Sequence, residues 1–229
     1  MADTGTTTPR ERYRAQVRAE VKERAWEQIA TAGASALSLN AIAKQMGMSG
    51  PALYRYFAGR DELITELVRD GYRSLADAFR AAADAGTGLS GLAHVLRDWA
   101  LEDPQRYFLV YGTPVPGYHA PDDITTIASE IMTALLDACA GPLTEGLPSG
   151  RPPSGGTDTP LAAHLEGLGE RWTDGRPASP AALGRALTCW TRLHGVLSLE
   201  LAGHFAGMGF DPAQLFATEL ESLTGAADA

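Results

Sequence analysis

Apolar side chains recur along most of this chain at steps of three and four, the spacing that gathers them on one face of an α-helix. No convincing run of alternating β-branched residues suggests a strand. Val17, Val21, Ala25 and Ile29 predict a helix over about 10–32, ended by Gly33 and preceded by polar residues 1–9 too poor in apolar groups to pack. The segment Ser38–Phe57 then reads as two short helices around a tight turn. Ser38 is the first N-cap; Ile42, Ala43 and Met46 face inward; Gly47 stops the helix where a left-handed backbone is cheap. Ser49 is placed to cap the second helix, Pro51 sits in its first turn, and Leu53 and Phe57 fall one turn apart on an inward face. A further helix over about 61–85 carries apolar residues on two sides, Leu63, Leu67 and Phe79 on one and Ile64, Val68, Tyr72 and Leu75 on the other. It is expected to pack against two partners, with Gly71 in its middle serving a close helix contact or a hinge.

Beyond Gly88 the same periodicity predicts helices over about 89–101, from Asp103-Pro104 through Tyr111, from Asp122 or Asp123 to about 140, over about 161–172, from Ser179-Pro180 to about 206, and after Asp211-Pro212. Residues 144–160 hold four prolines and four glycines in 17 positions and are expected to form a flexible loop. In the helix from Pro180, Leu183, Leu187, Trp190, His194, Leu197, Leu201 and Phe205 make one stripe, and Cys189, Leu193, Val196 and Leu199 a second. A helix with two such stripes is expected to have almost no wet face. Together with Leu215, Phe216, Leu220 and Leu223 of the last helix, it suggests a self-complementary dimer interface built on Leu193, Val196, Leu199, Leu215, Phe216 and Leu220.

Two short helices joined by a tight turn are the size of a helix–turn–helix, whose second helix enters the DNA major groove. The net charge of −9 would oppose nucleic acid if it were spread evenly, but residues 1–60 hold nine Lys or Arg against five acids, a balance of +4, which leaves −13 on the remainder. A basic end on an acidic body suits a domain that meets phosphate. By position, Ser38, Tyr54, Tyr56 and Arg60 are expected on phosphates, Lys44 on phosphate or solvated, Ser49 beside them, and Arg55 on a guanine edge, where its fork matches O6 and N7. Gly50 and Ala52 allow close approach or contact with a thymine methyl. Arg12, Arg14 and Arg18 either reach DNA or form a solvated face. One recognition helix reads few base pairs, so two, about 34 Å or a multiple apart, are expected on a palindrome.

The turn Gly47-Met48-Ser49, the run Leu53-Tyr54-Arg55-Tyr56-Phe57 and the follow-on Arg60-Asp61-Glu62-Leu63 resemble the signature of the tetracycline-repressor (TetR) family. Arg60 stands where that family most often carries Lys, one cation for another. The run from Trp190 to His194-Gly195 resembles the Trp-His-Gly element of one TetR C-terminal class. The resemblance implies an all-α fold. A three-helix DNA-binding head (1–60) would be joined by the fourth helix to a C-terminal helical bundle (61–229) that binds a ligand and dimerises. It implies a homodimeric, cytoplasmic transcriptional regulator, released from its operator when a small apolar or aromatic effector enters the bundle.

Trp99, Tyr107, Phe108, Tyr111, Trp190 and His194 are the candidate ligand residues; each also suits an ordinary core, and Tyr118 and Trp172 add to the same aromatic surplus. The sequence offers no glycine-rich phosphate loop, no paired histidines at i, i+4 with an acid and no nucleophile–base set, so an enzyme is not expected and no cofactor is implied. Cys139, Cys189, His119, His194 and His204 keep a metal-responsive regulator as an alternative, though none has ligand spacing in sequence and no metal site is assigned. A constitutive DNA-binding module is the other alternative. No run of about 18 apolar residues suggests a membrane span, no secretory signal is evident in the first ten residues, and two distant cysteines suit a reducing compartment.

Overall fold

The computed structural model describes residues 8–112, 115, 118, 121–140, 160–166 and 178–225. Among them every regular element is helical. The chain runs through α1 (Pro9–Ala32), a 3-10 turn (Ala34–Ala36), α2 (Leu39–Gln45), α3 (Gly50–Leu53), α4 (Arg60–Asp84), α5 (Gly88–Glu102), α6 (Pro104–Tyr111), α7 (Asp122–Ala140), α8 (Pro160–Glu166), α9 (Pro180–Leu201) and α10 (Pro212–Thr224). These fall into two compact units. One, the head, comprises Met1–Gly71 with Gln105–Pro121; the other, the body, comprises Tyr72–Pro104 with Asp122–Ala229. Helix α4 contributes its first half to one and its second half to the other.

In the head, α1 starts earlier than its apolar stripe shows, because Thr8 and Glu11 cap it reciprocally. The Thr8 hydroxyl accepts from the Glu11 amide (3.3 Å), and the Glu11 carboxylate accepts from the Thr8 amide (2.8 Å). Hydrogen bonds donated to it by the Thr8 amide and, at 2.9 Å, by the Thr8 hydroxyl hold the Glu11 carboxyl below its usual range. Thr8 and Pro9 are thus ordered parts of the helix start, a correction to the reading of 1–9 as unpacked; residues 1–7 lie outside the described set. Val17, Val21, Ala25 and Ile29 are buried as their spacing requires. Gly71, buried in α4, settles on close approach: a Cβ there would lie 2.8 Å from Val110 Cγ2 of α6.

In the body, α9 packs with α5, α7, α8 and α10. Leu135, Leu136 and Cys139 of α7, Leu165 of α8 and Leu183, Ala186 and Cys189 of α9 form one buried cluster. A bidentate ion pair crosses from α5 to α9, Arg97 to Glu200 at 2.6 and 2.8 Å, with Arg97 lying 5.0 Å from the Phe216 ring centre of α10. Arg73 and Arg80 of α4 both clasp Glu130 of α7 (2.8 and 2.6 Å), and these hydrogen bonds lower its carboxyl pKa.

Two expectations for α9 are overturned. It ends at Leu201, five residues short, because Gly203 adopts φ +76° and the His204 and Gly203 amides fold back onto the Leu199 and Glu200 carbonyls, a glycine-dependent C-cap. In the single chain Arg185, Thr188, Thr191, Gly195 and Leu199 are exposed along one side of it. Leu193, Val196, Phe216 and Leu220, read as interface residues, are buried within this single chain, because neighbouring helices cover them. Leu215 is half-buried, and only Leu199, at 44 %, is openly exposed among the six. The proposed loop 144–159, the end of the helix expected to reach Trp172, and His119 lie outside the described residues.

Candidate nucleic-acid interface

The turn between α2 and α3 is built by its glycine. Gly47 has φ +65°, its amide donates to the Lys44 carbonyl (3.2 Å), and the next amide, Met48, donates to Ala43 (2.8 Å). This left-handed cap reverses the chain within three residues. Ser38 caps α2, its hydroxyl accepting from the Ala41 amide at 3.4 Å, while its own amide donates to the Gln28 side chain at 3.0 Å. Ser49 occupies the N-cap position of α3 but makes no side-chain cap bond, which corrects its reading as a hydroxyl cap; the hydroxyl is exposed. Helix α3 is one turn long and continues as turns through Tyr56, with Leu53 and Phe57 fully buried beneath it.

Above that anchor, Ser49, Tyr54 and Arg55 are exposed, and Lys44 is exposed in the last turn of α2. Ala52 and Tyr56 are half-buried. Gly50 is half-buried, and a Cβ there would lie 3.2 Å from Oδ1 of the exposed Asn40 side chain of α2, which would have to give by a few tenths of an ångström. Arg60 is also engaged within the head. Its Nη2 donates to the carbonyls of Ala34 (2.9 Å) and Ser35 (3.4 Å), tying α4 to the 3-10 turn. Of the nine cations in residues 1–60, Arg18, Lys22, Arg24 and Arg60 are held in ion pairs. Arg10, Arg12, Arg14, Lys44 and Arg55 remain exposed.

This geometry belongs to a family. Residues 23–67 match the bacterial regulatory proteins of the tetR family, and residues 89–223 match the tetracyclin repressor-like C-terminal domain. The chain belongs to the TetR family. This TetR-family chain is similar over 97 % of its length to the HTH-type transcriptional regulators Rv1816 of Mycobacterium tuberculosis and Mb1846 of Mycobacterium bovis, each 34 % identical and covered over 97 % of its own length. The crystal structure of SCO4313 is similar with 67 % identity and a TM-score of 0.84, covering 95 % of this chain and 100 % of that one. A protein of unknown function from Rhodococcus sp. RHA1 shares the fold at a TM-score of 0.63 and 18 % identity, over 99 % of this chain and 98 % of that one. The TetR-family chain is a DNA-binding transcriptional regulator and not an enzyme.

The candidate ligand residues separate into groups. On α6, the fully buried Tyr107 ring packs against Phe108 and Tyr111, with centroids 5.6 Å away in each case. On α9, the Trp190 and His194 rings lie 4.1 Å apart, tilted by 53°, and burial pushes the imidazole down to about 4, so it is neutral at pH 7. Trp99 of α5 is buried, with its indole N–H donating to Ser74 Oγ at 3.2 Å. Cys139 and Cys189, fifty residues apart in sequence, meet as free thiols in the body core, where a shared hydrogen bond raises Cys139 and lowers Cys189. Their spacing in sequence carried no sign of this. Among the described residues no group of three or more His, Cys, Asp or Glu side chains gathers as a metal site, and His204 is exposed. None of the helices searched is long and apolar enough to cross a membrane.

Proposed function

We propose that this regulator binds a palindromic operator as a homodimer in the cytoplasm, reading it through α3 and releasing it when a small apolar or aromatic effector enters the body. The observation that carries the DNA reading is the exposed Lys44, Ser49, Tyr54 and Arg55 set over fully buried Leu53 and Phe57, on a head whose unpaired cations are exposed. Arg55 serves direct readout, and Lys44, Ser49 and Tyr54 serve phosphates. Ser38, Gly50, Ala52, Tyr56 and Arg60 act from beneath, by fixing the motif or by backbone approach. The test is binding to DNA upstream of its own and neighbouring genes, titrated with salt. Arg55→Ala is expected to cost about 1–3 kcal/mol at one base position and to relax preference there. Lys44→Ala is expected to weaken all DNA alike and to flatten the salt slope by about 1. Identical, uniform losses from both would end this division of roles.

The body reading rests on the aromatic surplus and on resemblance of Trp190 to Gly195 to the Trp-His-Gly class. Its residues in the body are Trp99, Trp190 and His194; Tyr107, Phe108 and Tyr111 are candidates of the α6 segment, which belongs to the other unit. Aromatic compounds titrated against the operator complex should release it; a complex indifferent to all of them would favour the constitutive module. For the dimer, the exposed stripe of α9 replaces the residues buried in the protomer. Gly195 has open space above it and Leu199 stands out at 44 % exposure, which suits close helix approach by a second copy. Leu199→Glu is expected to shift sedimentation toward monomer by at least about tenfold in dissociation constant, on the cost of desolvating a charge; an unchanged dimer would move the interface elsewhere.

A further inference from the structure

We infer that Arg18 of α1 is a positioning residue for DNA recognition, an anchor supplied from α1 to the turn that follows the recognition helix and not a phosphate contact. The inference deepens the DNA-binding reading of α3 and rests on it.

The turn that follows α3 is where such a partner acts. A one-turn helix leaves its last carbonyls without intrahelical donors, and the backbone of the following turn supplies them. The Ala52 carbonyl receives the Arg55 amide, and the Leu53 carbonyl receives the amides of Tyr56 and Phe57. Downstream carbonyls are met from α1. The Arg18 guanidinium donates to the Tyr56 carbonyl, and Arg14, one turn earlier on the same face, reaches the Arg55 carbonyl at 3.5 Å, the outer limit of a hydrogen bond. Arg18 also lies over the Phe57 ring, 4.1 Å from its centre. Its remaining donors face Glu62 at 3.5 Å and Glu66 at 3.4 Å on α4. One planar fork thus joins three elements at the residue where the recognition turn ends. With two carboxylates beside it and its side chain only 23 % exposed, Arg18 has no surplus charge to offer phosphate. This assignment gives Arg18 a role apart from the two readings, DNA contact or solvated face, left open by sequence.

The decisive variant is Arg18→Lys in the full-length protein. Lysine keeps the charge but is a point donor on a flexible stem, unable to serve the carbonyl, the ring face and both carboxylates together. Operator and non-specific DNA affinities are measured per active site across a salt series, with amide exchange of the free protein alongside. Specific affinity is expected to fall about tenfold, the scale of one misread base pair, with non-specific affinity and salt slope unchanged. Without DNA, amides of Tyr54 to Phe57 are expected to exchange faster while those of Val21 to Ile29 hold. Arg18→Met should enlarge the exchange change in the same segment. A phosphate contact would behave otherwise: lysine would retain affinity, and Arg18→Met would flatten the salt slope by about 1. Retained operator affinity with unchanged exchange in Arg18→Lys overturns the inference. Should the unaltered protein show no sequence preference at all, the DNA reading falls, and exchange alone still decides whether Arg18 holds the turn.

Discussion

The head and the body are both helical and both cross-linked by arginine–carboxylate pairs, yet they use charge differently. In the head, charged side chains lie at the rim of a small core, where they pair with one another and hydrogen-bond backbone groups at helix ends. Arg18 holds the end of the recognition turn, Arg60 the 3-10 turn, and the Glu62 carboxylate takes the Ala58 amide at 2.5 Å just before α4. In the body the principal pair, Arg97–Glu200, lies inside the bundle at 12 % and 16 % side-chain exposure. A surface pair contributes little energy by itself and mainly selects a geometry. A buried bidentate pair is costly to break, because one charge is then stranded. The head is thus built to hold a surface in register, and the body to hold a volume.

The sharpest way to separate them is to remove the head's anchor. Phe57 is fully buried beneath the recognition turn and under Arg18. Phe57→Ala should cost about 3–5 kcal/mol, the range for deleting a buried aromatic ring. Circular dichroism should then show two melting steps, an early one removing a minority of the helical signal together with DNA binding, and a later one near the original temperature. A single transition shifted as a whole would show that the two units unfold as one.

Mild acid should act first on the body. His194 in the body has an imidazole pushed down to about 4 from an ordinary value of 6.5, and residues 8–71 of the head contain no histidine. A histidine whose folded pKa is depressed is neutral in the native state, while the unfolded chain takes up a proton. Stability is therefore lost as pH falls from about 6.5 toward 4, by up to about 1.4 kcal/mol per pH unit. Denaturant midpoints at pH 7.5 and 5 should show this slope in the unaltered protein and a flatter one in His194→Gln. Equal slopes in both would mean that the imidazole protonates freely in the folded state.

The same contrast governs what the sequence could tell. Short-range features were legible because their physics is local: Gly47 needed a left-handed backbone, Leu53 and Phe57 needed a turn between them, and the α1 stripe needed cover. Contacts between distant segments were not. Arg60 read as a phosphate contact and Arg18 as either a DNA contact or part of a solvated face, since a cation beside a helix–turn–helix has those roles by default; the bonds both make inside the head depend on segments far off in sequence. In the body the stripe of α9 announced burial without saying by what, so Leu193 and Val196 were assigned to a second copy when helices of the same chain cover them. The meeting of Cys139 with Cys189 follows only from the packing of α7 on α9. Even the helix end at Leu201 turned on which of three nearby glycines took the cap, Gly203, Gly207 or Gly209, all of which have positive φ.

The finest comparison lies within the head itself, between two serines at equivalent positions. Ser38 and Ser49 both precede a helix of the motif with extended backbone, φ −134° and −74°. Only Ser38 uses its hydroxyl, on the Ala41 amide, so Ser38→Ala should cost about 1 kcal/mol of head stability. Ser49→Ala removes no cap bond and should leave stability within about 0.5 kcal/mol, the range for exposed substitutions without a specific partner. On DNA the order should reverse. The Ser38 hydroxyl accepts from the Ala41 amide and is thereby held toward its own helix start, whereas the exposed Ser49 hydroxyl makes no cap bond and can turn its O–H to phosphate. Ser49→Ala should weaken operator and non-specific DNA by the same modest factor, of about 2–5, the value of one neutral hydrogen bond. Melting curves and binding titrations on the two variants read both effects. Equal stability losses would mean that Ser49 caps α3 in solution after all, and the recognition helix would then owe its start to its own side chain and not to the packing of Leu53 and Phe57 beneath it.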